Sequence, residues 1–458
     1  MSSREAAAWA SRHVSETKQS CKKISLPKLT RSSQSSAAMV TDFFETLIVG
    51  GGQAGLTMSH MLSRRGRPHV VLERGRIAER WRSERWDGLR FQFPNWSVRL
   101  PNYAFSYADP DGFATSGEIV EYLEAYARQI GTEVRCGVAV TALRRDELGD
   151  AYVAETTAGR IKASNVVVAT GPYQKPVVPD LSVDLNGLFQ LHASAYKQPD
   201  QLPPGSVLVV GSGASGAQIA EELVRAGRKV YLSVGRHKRM PRRYRGHDLI
   251  WWLSTMGLDQ TPVAERGPDA TLPLITGAYG GHTVDLREFA SRGMILVGRL
   301  QSIRNGVLGF ADDLRESLAF GDAAYASFLN KADDCIEQHG MNFPREPQAR
   351  AKHPDPPGLA NPVRQLDKNS IGLGALIWAT GYRFDFSWID LPLLDAGGAP
   401  VHDKGVAPLP GIYFLGLPWL SKMNSSFLSG VGDDAARLAD IIQSRRDRRP
   451  ETGAASQA

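Results

Sequence analysis

The chain holds 458 residues, 42% of them hydrophobic and 22% charged, with 45 glycines, the composition of a globular protein too long for one ordinary domain. Of its net charge of +6, nearly all sits in residues 1–40, where seven lysines and arginines accompany two glutamates; the near-neutral remainder excludes a general nucleic-acid-binding role. No apolar run approaches the ~20 residues that span a membrane, and three scattered cysteines, Cys21, Cys136 and Cys335, supply neither a disulfide framework nor a C-x-x-C dithiol, so a cytoplasmic protein is expected.

Residues 1–41 are Ser- and Lys/Arg-rich without apolar periodicity and are expected to form a disordered or transit-like leader, with Met39 as an alternative start. Leu47–Val49 then predict a buried strand. Gly50-Gly51-Gly52-Gln53-Ala54-Gly55 follows as G-x-G-x-x-G, and Leu56–Arg64 continue with helical spacing. A second strand, His69–Leu72, ends in Glu73 and Arg74, about 20 residues past the glycines, where a dinucleotide fold places a ribose-binding acid. Gly50 makes the tight turn, Gly52 admits a pyrophosphate close to the backbone, and Gly55 lets the helix pack on the strand. The helix N-terminus offers unpaired N–H groups to the phosphates.

The pattern repeats. Val207–Val210 predict a strand, Gly211-Ser212-Gly213-Ala214-Ser215-Gly216 a loop, Ala217–Ala226 a helix and Lys229–Leu232 a second strand. At the acid's position stands Ser233, followed by Gly235 and Arg236. An acid there would repel a 2′-phosphate, whereas serine and arginine bind it, so NADPH is expected, with Arg236 as the principal contact and Lys238 and Arg239 beside it. Arg242, Arg243 and Arg245 find no partner in the sequence. Two such units, one with an acid and one with a cation, imply FAD followed by NADPH as its reductant.

The architecture expected is α/β: two dinucleotide-binding (Rossmann-like) domains, an FAD domain over 42–200 and 382–445 with an NADPH domain inserted at 201–381, and a disordered tail over 446–458. The active site is expected in the cleft between them. No G-x-S-x-G elbow supports a hydrolase triad, and His192, His237, His247 and His282 lack metal-ligand spacing. Substrate choice is expected to depend on HDLIWWLSTMGL, whose adjacent Trp251 and Trp252 cannot both face a core, and on the proline-dense loop 343–362.

These motifs resemble those of the class B single-component flavin-dependent monooxygenases, the group of flavin-containing monooxygenases, N-hydroxylases, Baeyer–Villiger enzymes and YUCCA proteins. Within it the chain is most similar to bacterial flavoproteins labelled for potassium transport. The resemblance covers residues 43–445. VVVATGPYQKPVVP and ALIWATGYRFDF contribute Ala169-Thr170-Gly171 and Ala379-Thr380-Gly381-Tyr382, segments that in the family close each domain and mark the chain crossings. WRSERWDGLRFQFPNW brings Trp81, Arg82, Trp86 and Asn95 to the flavin, and GLPWLSKMNSSFLSGVGDDAARLADII, with Asn424, resembles the C-terminal flavin-contacting segment. The fingerprint F-x-G-x-x-x-H-x-x-x-[WY] is met only in His192 and Tyr196 of NGLFQLHASAY, since Asn186 and Leu188 stand at its F and G positions.

The resemblance implies that NADPH reduces FAD, that dioxygen adds at the flavin C(4a), and that one oxygen atom passes to a small organic substrate, with N- or S-oxygenation favoured. Baeyer–Villiger chemistry is less favoured because Tyr196 stands where that subgroup has Trp. Asn95, Gln53, His192 and Tyr196 are the catalytic candidates, and Trp251, Trp252 and Asn424 the substrate candidates. An NADPH oxidase or flavin reductase without oxygen transfer, and a non-catalytic redox-sensing flavoprotein, stay open as alternatives. The partners expected are substrate and dioxygen, with a homodimer allowed.

Overall fold

The computed structural model describes residues 42–185, 187–267 and 272–447; the expected leader over 1–41, Asn186 of the partial fingerprint and residues 448–458 of the expected tail lie outside the described residues. Strand β1 (Asp42–Val49) is buried over its last four residues, as suits a strand covered on both faces. After it come α1 (Gln53–Ser63), β2 (His69–Glu73), α2 (Ser116–Gln129), β3 (Val134–Cys136), β4 (Val140–Arg145), β5 (Tyr152–Thr156) and β6 (Gly159–Val168). The strands order as β3-β2-β1-β6-β5-β4. Val49 at the end of β1 pairs with Leu72 on one side and Val168 on the other, so the first glycine loop leaves between two strand ends. Ligands bind open α/β sheets at such a reversal of strand order.

The second sheet is built by the same rule. It comprises β7 (Phe189–His192), β8 (Ser206–Val210), α3 (Ala214–Arg225), β9 (Val230–Ser233), α4 (Leu249–Thr255), β10 (Ile295–Val297), α5 (Leu314–Gln338) and β11 (Leu373–Trp378). Its five strands run parallel in the order β7-β11-β8-β9-β10. The chain then returns: β12 (Ile412–Phe414) pairs with Val166–Val168 of β6, completing the first sheet, and α6 (Val431–Asp447) packs against α1, with Arg65 ion-paired to Asp440.

The first crossing differs from the boundary expected at 200/201. Phe189–His192 lies within the stretch expected to belong to the FAD domain, yet it pairs with Ala375–Trp378 in the second sheet. The change of domain falls instead at Lys175–Pro176, which forms an antiparallel ladder with Tyr382–Arg383 of the return crossing. The Val177 N–H donates to Gly381 O (3.0 Å) and the Thr380 hydroxyl to Val177 O, so the inserted domain enters and leaves at one point. Helix α6 also runs two residues into the expected tail.

Candidate cofactor and active site

Each glycine loop is shaped by what it must approach. A Cβ on Gly55 would lie 1.9 Å from Gly50 O, and one on Gly216 would lie 1.9 Å from Gly211 O, so each helix meets its strand only because those residues are glycine. Gly50 and Gly211 themselves press on the A-T-G segments, where a Cβ would fall 2.5 Å from the carbonyl oxygens of Ala169 and Ala379. Beyond them the space opens. Gly52 and Gly213 are the N-cap residues of α1 and α3, and a Cβ on either would meet nothing within 4 Å. Neither helix has a capping side chain or an acidic residue in its first turn, whereas α2 is closed by a Thr115–Glu118 capping box. Free N–H groups, a positive helix end and open space above a glycine fit a pyrophosphate at both loops.

At the ribose position of the first unit, the Glu73 carboxylate accepts the N–H groups of Gly51 (2.7 Å) and Gly75 (2.8 Å), one on each oxygen. Each oxygen keeps a lone pair for a sugar hydroxyl. Arg74 is exposed beside it. Ala54 is buried at the start of α1, against Gly416 of the C-terminal segment. Thr170 and Gly171 share one partner, the Gln174 amide, at 3.0 and 2.8 Å.

The second unit corrects the sequence reading. Ser233 ends β9 as expected, but its hydroxyl donates to Gly298 O (3.0 Å) and accepts from the Leu300 N–H (3.0 Å), which leaves nothing for a 2′-phosphate. Ser212 braces the loop, accepting the Gly235 N–H and donating to its carbonyl (3.0 and 3.2 Å), while Ser215 is exposed on the first turn of α3. The cations at this rim are Arg236, exposed with its guanidinium 4.2 Å from the Phe320 ring, half-buried Lys238, and Arg299. Arg299 escaped the sequence reading. Its stem lies 3.9 Å from where a Gly235 Cβ would stand, because β10 runs beside β9 and delivers it there. Replacing Arg236 with alanine is expected to weaken NADPH by about ten- to hundredfold, the worth of one charge-assisted hydrogen bond, and NADH far less. Titrations with both nucleotides decide it, and equal losses refute the assignment.

The rest of the basic cluster turns inward. Arg239, expected beside the phosphate, is buried and ion-paired to Asp285, with its guanidinium 4.1 Å from Tyr325. Arg242 is buried against Asp248 and donates to Gln92 O of the first domain (2.8 Å). Arg245 pairs with Asp333 (2.6 Å), and Arg243 is exposed.

Three segments converge beside the first glycine loop. The Gln53 amide donates to Ser426 O (2.6 Å), and Phe427 of the same C-terminal segment meets Phe93 edge-on at 4.9 Å. Phe93 leads to Asn95, which is buried. Its Nδ2 donates to Asp109 O (2.9 Å), and its Oδ1 has no partner among the described residues. Trp81 is half-buried, edge-on to Phe91 at 5.7 Å. Arg82 is committed to Glu124 of α2 and to Ile77 O.

Four further candidates fall elsewhere. Trp86, expected at the flavin, is buried in the core of the second domain with Ala193 and Tyr196. The Tyr196 hydroxyl is internal and donates to Glu222 of α3 (2.9 Å), and burial pushes its pKa up. Trp252 is fully buried, its indole N–H donating to Tyr244 O (2.9 Å), so it forms core and not a substrate wall. Trp251 stacks on His247 at 4.0 Å and is met by Phe343, so the proline-dense loop covers it.

His192 sits at the chain crossing. Its Nδ1 accepts the Ser194 N–H (3.1 Å), which places the proton on Nε2, and that N–H donates to Gly381 O (3.0 Å). Tyr382 meets the ring edge-on at 5.0 Å. Burial lowers its pKa from the ordinary 6.5, so the neutral form is the folded one. The stability this contributes is present above pH 6.5 and is lost as pH falls from there toward the depressed folded value. His192→Gln, which keeps an N–H for Gly381, is expected to flatten that part of the stability profile. Acid-range melts of the two proteins that fall in parallel would refute it.

Among the described residues no cluster could hold a metal and no helix is long and apolar enough to cross a membrane. Cys136 and Cys335 lie on separate elements, β3 and α5, and form no dithiol. Residues 47–256 match the family model described as pyridine nucleotide-disulphide oxidoreductase. The chain is 32% identical to a CzcO-like oxidoreductase of Geobacillus kaustophilus over 87% of its own length and 98% of that protein. It is 30% identical to the indole-3-pyruvate monooxygenase YUCCA1 of Oryza sativa over 62% of its length and 74% of the relative. In fold it is similar to a flavin-containing monooxygenase from Stenotrophomonas maltophilia, with a TM-score of 0.62 at 18% identity, covering 89% of this chain and all of the other. Two loops fitted to dinucleotides and these relatives agree: the chain belongs to the class B flavin-dependent monooxygenases, in the branch of the CzcO-like oxidoreductases and YUCCA proteins, with FAD and NADPH as its cofactors.

Proposed function

We propose that the enzyme transfers one atom of dioxygen to nitrogen or sulfur of a small organic substrate. The observation that carries this reading is the pair of uncapped helix N-termini, one beside an acid and one beside arginines, in two sheets joined at a single crossing. Bound FAD supplies the oxygen chemistry and bound NADPH the hydride. The N-terminus of α1 holds the FAD pyrophosphate and Glu73 its ribose. The N-terminus of α3 holds that of NADPH, and Arg236 and Arg299 take its 2′-phosphate. Gln53 and Asn95 place amide groups at the flavin side, and the Phe93–Phe427 contact keeps water from it.

The test supplies the FAD-loaded enzyme with NADPH, isotopically heavy dioxygen and a panel of small amines and thioethers. A product carrying one labelled oxygen atom, formed in step with NADPH consumption, is expected. NADPH consumption matched by hydrogen peroxide, with no substrate gaining oxygen, overturns the reading in favour of an oxidase.

A further inference from the structure

The inserted domain and the C-terminal segment are sewn together along a short seam. Asn424 N–H donates to Asp259 O (3.1 Å), Met423 N–H to Thr261 O (2.9 Å) and Val263 N–H to Ser421 O (2.8 Å). The same segment carries Ser426 and Phe427, which touch Gln53 and Phe93. The seam therefore adjoins the flavin-side residues.

Two acceptors in this seam lack a donor among the described residues. Asn424 is 2% exposed; its Nδ2 faces Asp259 Oδ2 at 3.4 Å, and its Oδ1 is buried with no partner among the described residues. Asp259 Oδ2 also accepts from Gln260 Nε2 (3.1 Å), while Asp259 Oδ1 is likewise buried and unpartnered among the described residues. Turning the Asn424 amide over would set its oxygen against a carboxylate oxygen, so the carboxylate fixes its orientation. The amide head fits there because residue 430 is glycine, where a Cβ would fall 2.6 Å from both Cγ and Oδ1. Lys422 of the same segment is spent elsewhere, its Nζ taken by Gln260 Oε1 (2.6 Å) and by Asp433.

Buried acceptors without donors are costly, and a carboxylate oxygen more so than an amide. No donor among the described residues reaches either oxygen, which leaves the place to a ligand N–H or a water. We infer that Asp259 and Asn424 form an acceptor subsite for the N–H groups of a cationic substrate head, a primary ammonium or a guanidinium. The Asp259 charge disfavours an organic acid at this position. An ammonium held by a carboxylate has no lone pair to be oxygenated, so this head is a handle, and the atom that receives oxygen lies elsewhere on the substrate. Its role as a substrate handle rests on the proposed function; the acceptor chemistry does not.

Calorimetric titration of the FAD-loaded full chain with phenethylamine, phenethyl alcohol and phenylacetate tests it. Phenethylamine is expected to bind at least tenfold more tightly than the other two, and Asp259→Asn to remove most of that preference. Equal binding of the three probes, no binding by any, or a preference that survives Asp259→Asn overturns the subsite. The wild-type comparison decides on its own should the variant fail to fold. Thioether oxygenation is scored separately. Oxygen transfer without an ammonium preference keeps the proposed function and loses the subsite, and an ammonium preference without oxygen transfer does the reverse.

Discussion

Arg242→Met is expected to lower the stability of the FAD-loaded chain by about 3–5 kcal/mol, the cost of removing one partner from a buried ion pair. The side chains of Arg242 and Asp248 are 3% and 6% exposed. Asp248 also caps α4 by accepting the Ile250 N–H (2.8 Å), so it cannot swing out to water once the arginine is gone. The loss extends across the domain boundary. Arg242 holds Gln92 O and lies 5.0 Å from the Phe113 ring, which is itself clasped between Gly277 and Gly281, where Cβ atoms would fall 2.8 and 2.5 Å from it. Gln92 precedes Phe93 and Asn95, so the variant is also expected to uncouple NADPH consumption from oxygen transfer. Adding Asp248→Asn restores part of the stability, because a neutral amide still caps α4 and carries no uncompensated charge. Denaturant melts of the three proteins are the measurement, and a single variant within about 1 kcal/mol of wild type refutes the expectation.

Alanine at Gly55 and alanine at Gly216 are expected to separate the two cofactors. In each case the new methyl group would stand 1.9 Å from a backbone carbonyl oxygen, which cannot rotate away as a side chain would. The helix must shift from its strand, at a cost of about 1–3 kcal/mol or more, and the N–H groups at its first turn shift with it. Gly55→Ala is expected to purify with little flavin. Gly216→Ala keeps its flavin but binds NADPH about tenfold or more weakly, which slows reduction at limiting NADPH. The flavin-to-protein absorbance ratio and the rate of anaerobic flavin bleaching read the two effects. Full flavin occupancy in Gly55→Ala would show that α1 is not the flavin's phosphate helix.

Both sheets were legible because their signals are local. A buried strand, three glycines and an amphipathic helix follow one another without interruption, and Gly50 to Glu73 is one unbroken unit. What depends on distant strands was not. Ser233 looked like a ribose contact until β10 laid Gly298 and Leu300 against its hydroxyl. Arg239 was expected beside Arg236 at the phosphate, yet Asp285, 46 residues further on, draws it inside. Trp86 and Trp81 lie five residues apart in one motif, yet Trp86 is buried in the second core while half-buried Trp81 packs against both. Asn424 and Asp259 are separated by 165 residues, and no spacing rule could have joined them.

The ladder of Lys175–Pro176 against Tyr382–Arg383 has a consequence for how such a protein can be rebuilt. Both ends of the insert pass through one doorway, with Val177 hydrogen-bonded to Gly381, and every strand of the second sheet lies between those two residues. Every strand of the first sheet lies outside them. A few residues joining the two sides of the doorway would leave the flavin-side sheet whole, and a foreign nucleotide-binding unit could be grafted through the same opening. Among the contacts such a graft must supply anew are those of Arg242 to Gln92, Lys197 to the Ser83 and Arg85 carbonyls, and the seam of Asp259, Thr261 and Val263 with residues 421–424.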